Sequence, residues 1–206
     1  MQIRPLAIAD AFEITPRQFP DDRGVFLESY RGDLLAEAIG HRPQVVQTNI
    51  TVSSRGTVRG IHFADVPPSQ AKYITVLTGS IVDYVVDIRV GSPTFGQWDS
   101  VLLDTVDRRA VYLPEGMGHA FAALEDDTTA MYLVTAPYTP SREHGIHPLD
   151  PELGLVLPDG MADPLLSPKD QAAPTLARAL AEGLLPRYAD CLAFQEAARE
   201  AHRQSS

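Results

Sequence analysis

The chain has 206 residues, 44% of them hydrophobic, and a formal net charge of −10. This length and composition can supply a hydrophobic core and predict a single domain over 1–206, with its core at about 1–150 and loops and helices at about 150–206. The acidic charge argues against a nucleic-acid partner, which needs a basic surface. The absence of a long apolar run or a signal-peptide pattern predicts a cytoplasmic protein with no membrane partner. The single cysteine, Cys191, excludes an internal disulfide and suits a reducing compartment.

Short apolar stretches separated by turn residues follow one another at the spacing of an antiparallel sandwich or barrel. The predicted strands are 24–30, 44–52, 57–63, 71–77, 81–89, 98–103, 109–113, 119–124 and 129–136. Residues 34–40 predict one short helix that ends at Gly40. Beyond about residue 150, Pro- and Asp-rich loops precede two helical patterns, TLARALAEGL and YADCLAFQEAAREAHR. We expect these helices to pack outside the sandwich.

The alternation of side chains along a strand separates its two faces. Gln47 and Asn49 share one face of QVVQTNITV, and Asp83, Asp87 and Arg89 share one face of IVDYVVDIR. Such a polar face either meets solvent, which is the commoner case, or lines the mouth of a barrel.

The strand VRGIHF and the following QAKYITV place titratable groups among apolar residues. Burying such a group without a partner costs several kcal/mol, so His62 and Lys72 lie either at a strand edge in water or in a cavity. Arg59 and His62 have opposite parity and cannot both face one cavity along a regular strand. A β-bulge at Gly60 would bring them to the same side.

Several stretches together resemble the dTDP-4-dehydrorhamnose 3,5-epimerase family of deoxysugar biosynthesis. They are DDRGVFLESY, QTNITVSSRGTVRGIHF, QAKYITVLTGSIVDYVVDIRVGSPTFGQW, YLPEGMGHAF, the strand around Tyr132 and LSPKDQ. The resemblance runs in order from about residue 1 to residue 190. It implies an all-β, cupin-type antiparallel jelly roll with short peripheral and C-terminal helices. It also implies a homodimer, no metal and no organic cofactor.

The family's substrate is dTDP-4-dehydro-6-deoxy-glucose, whose C4 ketone acidifies the hydrogens on C3 and C5. Inverting either carbon requires a base on one face, stabilisation of the enolate oxygen and an acid on the other face. By resemblance His62 is the base, Asp170 orients it, Lys72 donates to the C4 oxyanion and Tyr132 is the acid. An imidazole with a pKa of about 6.5 suits the first task, and a phenol with a pKa of about 10 remains a proton donor.

Each of these four residues has a plainer interpretation. A lone histidine in an apolar strand is usually a hydrogen-bonded core residue, and Lys72 alone would be a surface lysine on an edge strand. Tyr132 would ordinarily be core packing. Asp170 lies in a predicted loop, where aspartate usually caps or turns, so its role depends on the resemblance.

The resemblance also implies substrate contacts, because a nucleotide diphosphate sugar needs cations for its phosphates and an apolar surface for its base. The implied contacts are Arg23, Phe26, Glu28, Gln47, Asn49, Arg59, His119, Glu143 and Lys169, with Tyr138 stacked on the thymine. The alternatives are a turn arginine for Arg23, a solvent carboxylate for Glu28 and a loop residue for Glu143 in SREHGIHP. Arg23 and Glu28 are expected to reach the pocket of the partner subunit.

A metal site is not expected. Metal-binding cupins use two closely spaced histidines, a glutamate and a distant third histidine, whereas GIHFADVPPSQAK has one histidine. His144 and His147 form the nearest pair elsewhere, in a loop without a suitable carboxylate set.

Two function classes remain: a metal-free epimerase, and a non-catalytic jelly roll that binds a sugar nucleotide or serves as a structural unit. The joint presence of His62, Lys72, Tyr132 and Asp170 favours the enzyme, because a binding module has no use for an acid and a base. Inversion of both C3 and C5 is the default, and a single-centre antibiotic-sugar epimerase is the alternative. Gly118 replaces an alanine that is common in the rhamnose enzymes and leaves this choice open.

Overall fold

The computed structural model describes residues 1–67 and 69–205. Within these ranges the strands, in chain order, are β1 (Gln2–Pro5), β2 (Phe12–Thr15), β3 (Gln18–Asp21), β4 (Gly24–Leu27), β5 (Gln47–Ser53), β6 (Val58–Ala64), β7 (Lys72–Thr78), β8 (Ser80–Val86), β9 (Trp98–Asp104), β10 (Ala110–Leu113), β11 (Gly118–Ala123), β12 (Thr128–Val134) and β13 (Glu143–Gly145). The helices are α1 (Gly32–Ile39), α2 (Pro168–Gln171), α3 (Leu176–Ala181) and α4 (Tyr188–Ser205), and one 3₁₀ turn covers Pro140–Arg142.

Two antiparallel sheets form the body of the protein. One has the strand order β1-β2-β10-β7-β12-β5, and the other has the order β13-β6-β11-β8-β9. Between them lies a buried apolar cluster that includes Ile74, Val111 and Ala130 from the first sheet and Val85 and Phe121 from the second. Each sheet thus buries one apolar face against the other, which confirms the predicted jelly-roll sandwich.

Each sheet also carries an apolar cluster on its outer face. α1 covers the six-stranded sheet through Leu35 and Ile39. The chain beyond residue 150 covers the five-stranded sheet through Leu153, Leu176 and Leu185. The C-terminal helices therefore pack outside the sandwich, as predicted.

The nine predicted strands and the three predicted helices are all present, with ends that differ by three residues or fewer. Gly40 ends α1 in a left-handed conformation, with φ of 85°. The sequence did not predict β1, β2, β3 and β13, which have three or four residues each. Such short segments have little periodicity of their own, and pairing with neighbouring strands or within a hairpin makes them strands.

The polar face of IVDYVVDIR is buried, so the solvent-facing alternative is wrong. Asp83, Asp87 and Arg89 are fully buried. The Arg89 guanidinium donates to both carboxylate oxygens of Asp87, at 3.0 and 2.9 Å, and lies 4.8 Å from the centre of the Tyr188 ring. This pair is satisfied within the fold and anchors the start of α4.

α4 docks on the body of its own chain, as expected for this segment. Its contact face has Cys191 and Gln195 buried, one helical turn apart. Arg199, one turn further, donates from Nε to the Ile39 carbonyl at 3.0 Å. None of the described helices is both long and apolar enough to cross a membrane.

Candidate active site

Polar side chains line the interior between the two sheets at one end. Along β5, Gln47 and Asn49 are partly buried while Thr48 and Ile50 are exposed, so the first two face inward. Nε2 of Gln47 donates to Oδ1 of Asn49 at 2.6 Å. The predicted shared face of these residues is confirmed.

A bulge in β6 brings Arg59 and His62 to the same side. His62 pairs with His119 and Arg59 with Phe121, so Gly60 and Ile61 together oppose the single residue between those partners. Gly60 has φ of 114°, and an added Cβ would lie 2.7 Å from Cα of Ala120 and closer still to the His119 carbonyl. Only glycine fits this position, which explains how a strand of seven residues presents both polar groups inward.

His62 pairs with Asp170, which lies in α2, 108 residues later in the chain. The His62 Nε2 to Asp170 Oδ1 distance is 2.7 Å. Ser167 caps α2 by accepting from the Asp170 amide, and its hydroxyl donates to Asp170 Oδ2 at 2.8 Å. Burial would raise the pKa of Asp170, but the bonds from His62, Ser167 and the Gly60 amide lower it, so this carboxylate is charged at neutral pH.

A second histidine and carboxylate lie beside the first pair. His119 faces His62 across β11 and β6, and its Nε2 is 2.7 Å from Oδ2 of the fully buried Asp83 on β8. The other oxygen of Asp83 has no hydrogen-bond partner among the described residues. His119 is thus held in one orientation toward the interior.

Lys72 opens β7 with its side chain directed inward, as Ile74 and Val76 are from the same strand. It is 6% exposed, and its ammonium makes no hydrogen bond or ion pair with any residue of 1–67 and 69–205. Burial, partly offset by the nearby Glu143 and Glu115, lowers the pKa of Lys72 to about 8. A charged donor without a protein partner is ready to bind a ligand oxygen.

Tyr132 projects from β12 into the same interior and packs against the central apolar cluster. Burial raises the pKa of its phenol, while Arg59 acts in the opposite direction. Arg59 is fixed at one edge by bonds to the Ser53 hydroxyl at 3.1 Å and the Val52 carbonyl at 3.3 Å. The phenol is therefore protonated at neutral pH, close to a guanidinium.

Glu143 begins the short strand β13, so the interpretation of this segment as a loop is wrong for residues 143–145. β13 pairs with β6, with Gly145 opposite His62. Glu143 acts electrostatically on both Lys72 and Tyr132. No local sequence pattern predicts β13, because a three-residue strand exists only through its pairing with β6.

The remaining predicted contacts do not face this interior. Arg23, Phe26 and Glu28 lie on or beside the hairpin of β3 and β4, which pairs with no other described strand. Phe26 is 67% exposed, the Arg23 side chain is 90% exposed and paired with Asp21, and Glu28 is paired with Arg31. Tyr138 and Lys169 are exposed.

Four residues near the site were not predicted from the sequence as functional candidates: Asp83, Ser53, Ser167 and Glu115. Asp83 was visible as part of a polar strand face, and the S-x-x-D spacing of Ser167 and Asp170 is a capping pattern from which α2 and its cap could have been predicted. Ser53 and Glu115 had no such signal, because the bond of Ser53 to Arg59 and the bond of Glu115 to Thr135 form only once these segments of the chain are folded.

The described residues contain no group of three or more His, Cys, Asp or Glu side chains that could hold a metal ion. His144 pairs with Asp65 at 2.7 Å, and Nδ1 of His147 accepts from the Leu149 amide. These two histidines thus have separate hydrogen-bond partners.

The site divides between two opposing layers. His62, Arg59, His119 and Glu143 come from the five-stranded sheet, whereas Lys72, Tyr132, Gln47 and Asn49 come from the six-stranded sheet. A planar ligand between the sheets would meet an imidazole on one side and a phenol on the other. This arrangement can remove a proton from one face of a carbon and return one to the opposite face.

Comparisons with known proteins agree with this chemistry. The family model described as dTDP-4-dehydrorhamnose 3,5-epimerase matches residues 5–178. The dTDP-4-dehydrorhamnose 3-epimerase of Streptomyces niveus is 56% identical over 193 residues, 94% of this chain and 92% of that protein. The dTDP-4-dehydrorhamnose 3,5-epimerase of Mycolicibacterium smegmatis is 54% identical over 199 residues, 97% of this chain and 98% of that protein.

Among solved structures, ChmJ, a 3'-monoepimerase from Streptomyces bikiniensis in complex with dTDP-quinovose, superimposes with a TM-score of 0.92. It is 47% identical, and the match covers 95% of this chain and 98% of that one. The two-sheet fold, the inward-facing polar residues and these matches lead to one assignment. The chain is an isomerase of the dTDP-4-dehydrorhamnose 3,5-epimerase family.

Proposed function

We propose that this protein inverts C3 and C5 of dTDP-4-dehydro-6-deoxy-glucose through an enolate, in the biosynthesis of a deoxysugar. The observation that carries the proposal is the placement of His62 and Tyr132 on opposing sheets, with the unpartnered Lys72 ammonium in the same interior. Together these three groups offer a base, an acid and an oxyanion donor around one interior.

His62 acts as the base. Because its Nε2 donates to Asp170, the basic lone pair of the neutral ring lies on Nδ1. When Nδ1 takes the proton from C3 or C5, the charged Asp170 stabilises the imidazolium that forms. The carboxylate thus serves as the orienting group, and the Ser167 hydroxyl holds it in place.

Lys72 stabilises the enolate. The electrons of the broken C–H bond move onto the C4 oxygen, and an ammonium directed at that oxygen lowers the barrier. Lys72 is suited to this step because it is buried and forms no competing ion pair in the described chain.

Tyr132 returns a proton from the opposite side. A protonated phenol at neutral pH is a donor, and the neighbouring Arg59 stabilises the phenolate that remains. Gln47, Asn49, His119 and Glu143 are proposed to hold the sugar. Arg59 and Lys169 are proposed to bind the phosphates, with Tyr138 stacked on the thymine.

One alternative has a specific observation in its favour. The 56% identical relative from Streptomyces niveus is a 3-epimerase, whereas the 54% identical relative from Mycolicibacterium smegmatis is a 3,5-epimerase. A single-centre 3-epimerase is therefore the second candidate.

Incubation with the 4-keto sugar nucleotide in D2O separates these candidates. Deuterium at both C3 and C5, detected by mass spectrometry and NMR, is the expected result. Label at C3 alone supports the 3-epimerase, and no label at either carbon overturns the proposal of an enzyme. The His62→Asn variant supplies the background exchange.

We further propose that the protein is a homodimer in which the hairpin of β3 and β4 completes the partner's site. The hairpin leaves Phe19, Val25 and Phe26 at least 39% exposed. On the sheet edge, Ile50 and Val52 of β5 are also about 60% exposed. Apolar side chains in such numbers favour an interface between subunits.

Subunit mixing tests the shared site. His62→Asn removes the base from the site of its own subunit. Arg23→Ala removes the contribution of its hairpin to the site of the partner subunit. If the hairpin acts on the partner, mixed dimers contain one intact site and regain up to half of the activity per dimer. Absence of recovery in demonstrated mixed dimers overturns the shared site. A monomeric mass in solution overturns the dimer itself. The single-domain organisation and the cytoplasmic location stay predictions.

A further inference from the structure

We propose that Glu115 is a positioning residue of this site, whose carboxylate keeps the Lys72 ammonium charged and able to hold the oxyanion. The inference rests on the proposed function of Lys72. It adds a residue that lies outside the barrel interior and that touches neither the substrate nor the reacting atoms.

The strand pairing brings the two residues to the same end of the six-stranded sheet. Leu113 pairs with Lys72 across β10 and β7, and Glu115 follows two residues later. On the other side of β7, Val134 pairs with Lys72, and Thr135 follows directly. Lys72 is thus flanked by the two strand ends from which Glu115 and Thr135 emerge.

Thr135 joins these strand ends. Its hydroxyl oxygen accepts from the Ala71 amide at 2.9 Å, and the hydroxyl donates to Oε1 of Glu115 at 3.4 Å. The carboxylate is therefore tied to the residue that precedes Lys72. This link fixes Glu115 relative to the ammonium, although the two groups form no direct ion pair.

Burial raises the pKa of Glu115, and the hydrogen bonds from its own backbone amide and from Thr135 offset this effect only in part. The residue is 4% exposed, and its Oε2 has no hydrogen-bond partner among the described residues. A buried carboxylate in this state is costly unless a positive charge lies nearby. Lys72 is likewise buried, has the opposite charge and has no ion-pair partner in the described chain. Each charge therefore offsets part of the free-energy cost of burying the other.

The pKa shifts follow the same pattern. Burial is the largest effect on both groups: it lowers the pKa of Lys72 and raises that of Glu115. Each charge then acts on the other in the direction that favours ionisation. Glu143 has the larger of the two carboxylate effects on the pKa of Lys72, but it is a proposed substrate contact. Glu115 is therefore the carboxylate that remains dedicated to Lys72 when a ligand binds.

Although Glu115 is only 4% exposed, it borders a cleft of about 630 Å³ between α4 and the segment 41–44. The other titratable or charged groups that surround it are Tyr112, Cys191, His41, Arg42 and His202. Proton exchange at Glu115 thus does not require passage through the occupied interior.

The chain offers a direct measurement, because its only two lysines are Lys72 and Lys169. Protein labelled with ¹³C-lysine gives two Cε signals, which Lys72→Arg assigns, and Lys169 is exposed and serves as an internal reference. We expect Glu115→Gln to lower the titration midpoint of Lys72 by about half a pH unit or more. The midpoint of Lys169 stays unchanged. A Lys72 midpoint equal to that of the wild type overturns the inference.

The kinetic readout is the pH profile of kcat for deuterium incorporation. In Glu115→Gln the loss of activity at alkaline pH begins at a lower pH, while the rate near pH 6 stays close to that of the wild type. Glu115→Asp keeps the charge and restores most of the alkaline limb. Glu37→Gln removes an exposed carboxylate on α1 and leaves the profile unchanged. A uniform loss at every pH identifies a purely structural role and overturns the inference.

A second variant keeps the test decisive. If Glu115→Gln does not fold, Thr135→Val removes the link to Glu115 and is expected to shift the Lys72 midpoint in the same direction. The NMR titration does not depend on turnover, so it tests the pairing even where the wild type shows no exchange. Failure of the proposed function and failure of this inference are therefore separable.

Discussion

Replacing Asp170 with asparagine tests whether the carboxylate of the His62–Asp170 pair contributes to the reaction. Asparagine keeps the shape of the side chain and one oxygen for the Ser167 hydroxyl. It removes the negative charge that stabilises the imidazolium. We expect kcat to fall while the variant remains folded, since the cap of α2 by Ser167 is retained.

The size of the effect follows from the geometry. The bond is 2.7 Å long, and the Asp170 side chain is 5% exposed, against 37% for His62. A hydrogen bond to a charged group contributes about 1.5–3 kcal/mol. One decade in rate corresponds to about 1.4 kcal/mol, so the full range is about 10- to 150-fold. Because water reaches the imidazole, we expect the lower part of this range, about 10- to 50-fold.

The assay is the initial rate of deuterium incorporation from D2O, with thermal melting to verify folding. Asp163→Asn, which changes an exposed carboxylate seven residues earlier, is the matched control and should match the wild type. A folded Asp170→Asn variant with a rate within about twofold of the wild type would refute the role of the charge. A loss no smaller than that of His62→Asn would also contradict the reasoning, because Asp170 only assists the base.

Three further predictions follow from the site and from the bulge that forms it. Lys72 is active when charged and its pKa is about 8, so kcat should fall as the pH rises through about 8. In Lys72→Arg this alkaline fall in kcat should disappear, because arginine stays charged. An unchanged fall would exclude Lys72 as its source. Tyr132→Phe should keep exchange at the face served by His62 but lower product inversion by about 100-fold or more, as measured by NMR of the sugar; full inversion would point to another acid. Gly60→Ala should destabilise the protein by more than about 3 kcal/mol in chemical denaturation, since an added Cβ would overlap the His119 carbonyl and Ala120. Gly56→Ala is the control, because Gly56 also has a positive φ but open space around it, and it should cost about 1 kcal/mol. Equal losses of stability in the two variants would contradict the bulge geometry.

The candidate site could be predicted from the sequence only as a set of residue types. VRGIHF showed that a histidine and an arginine stood in an apolar strand, and parity showed that a bulge was needed to bring them together. The resemblance to a family supplied the roles. The partnership of His62 with Asp170 could not be predicted from local pattern, because 108 residues separate them.

Burial also had to come from the structure. The polar face of β8 fitted a solvent-facing strand equally well, and only the sandwich shows Asp83 inside beside His119. Glu115 had no signal at all, since its relation to Lys72 arises from the pairing of β10 with β7. Segment 143–145 contains no strand pattern, and β6 alone makes it a strand.

The sequence by itself determined the strand alternation, the turns and the end of α1, because these depend on period-two burial and on glycine within a few neighbouring residues. The tertiary structure decided which polar groups are buried, which charges face one another and which faces of the two sheets enclose the site. The physical reason is that desolvation and Coulomb interaction depend on distances between residues remote in the chain, which no local pattern encodes.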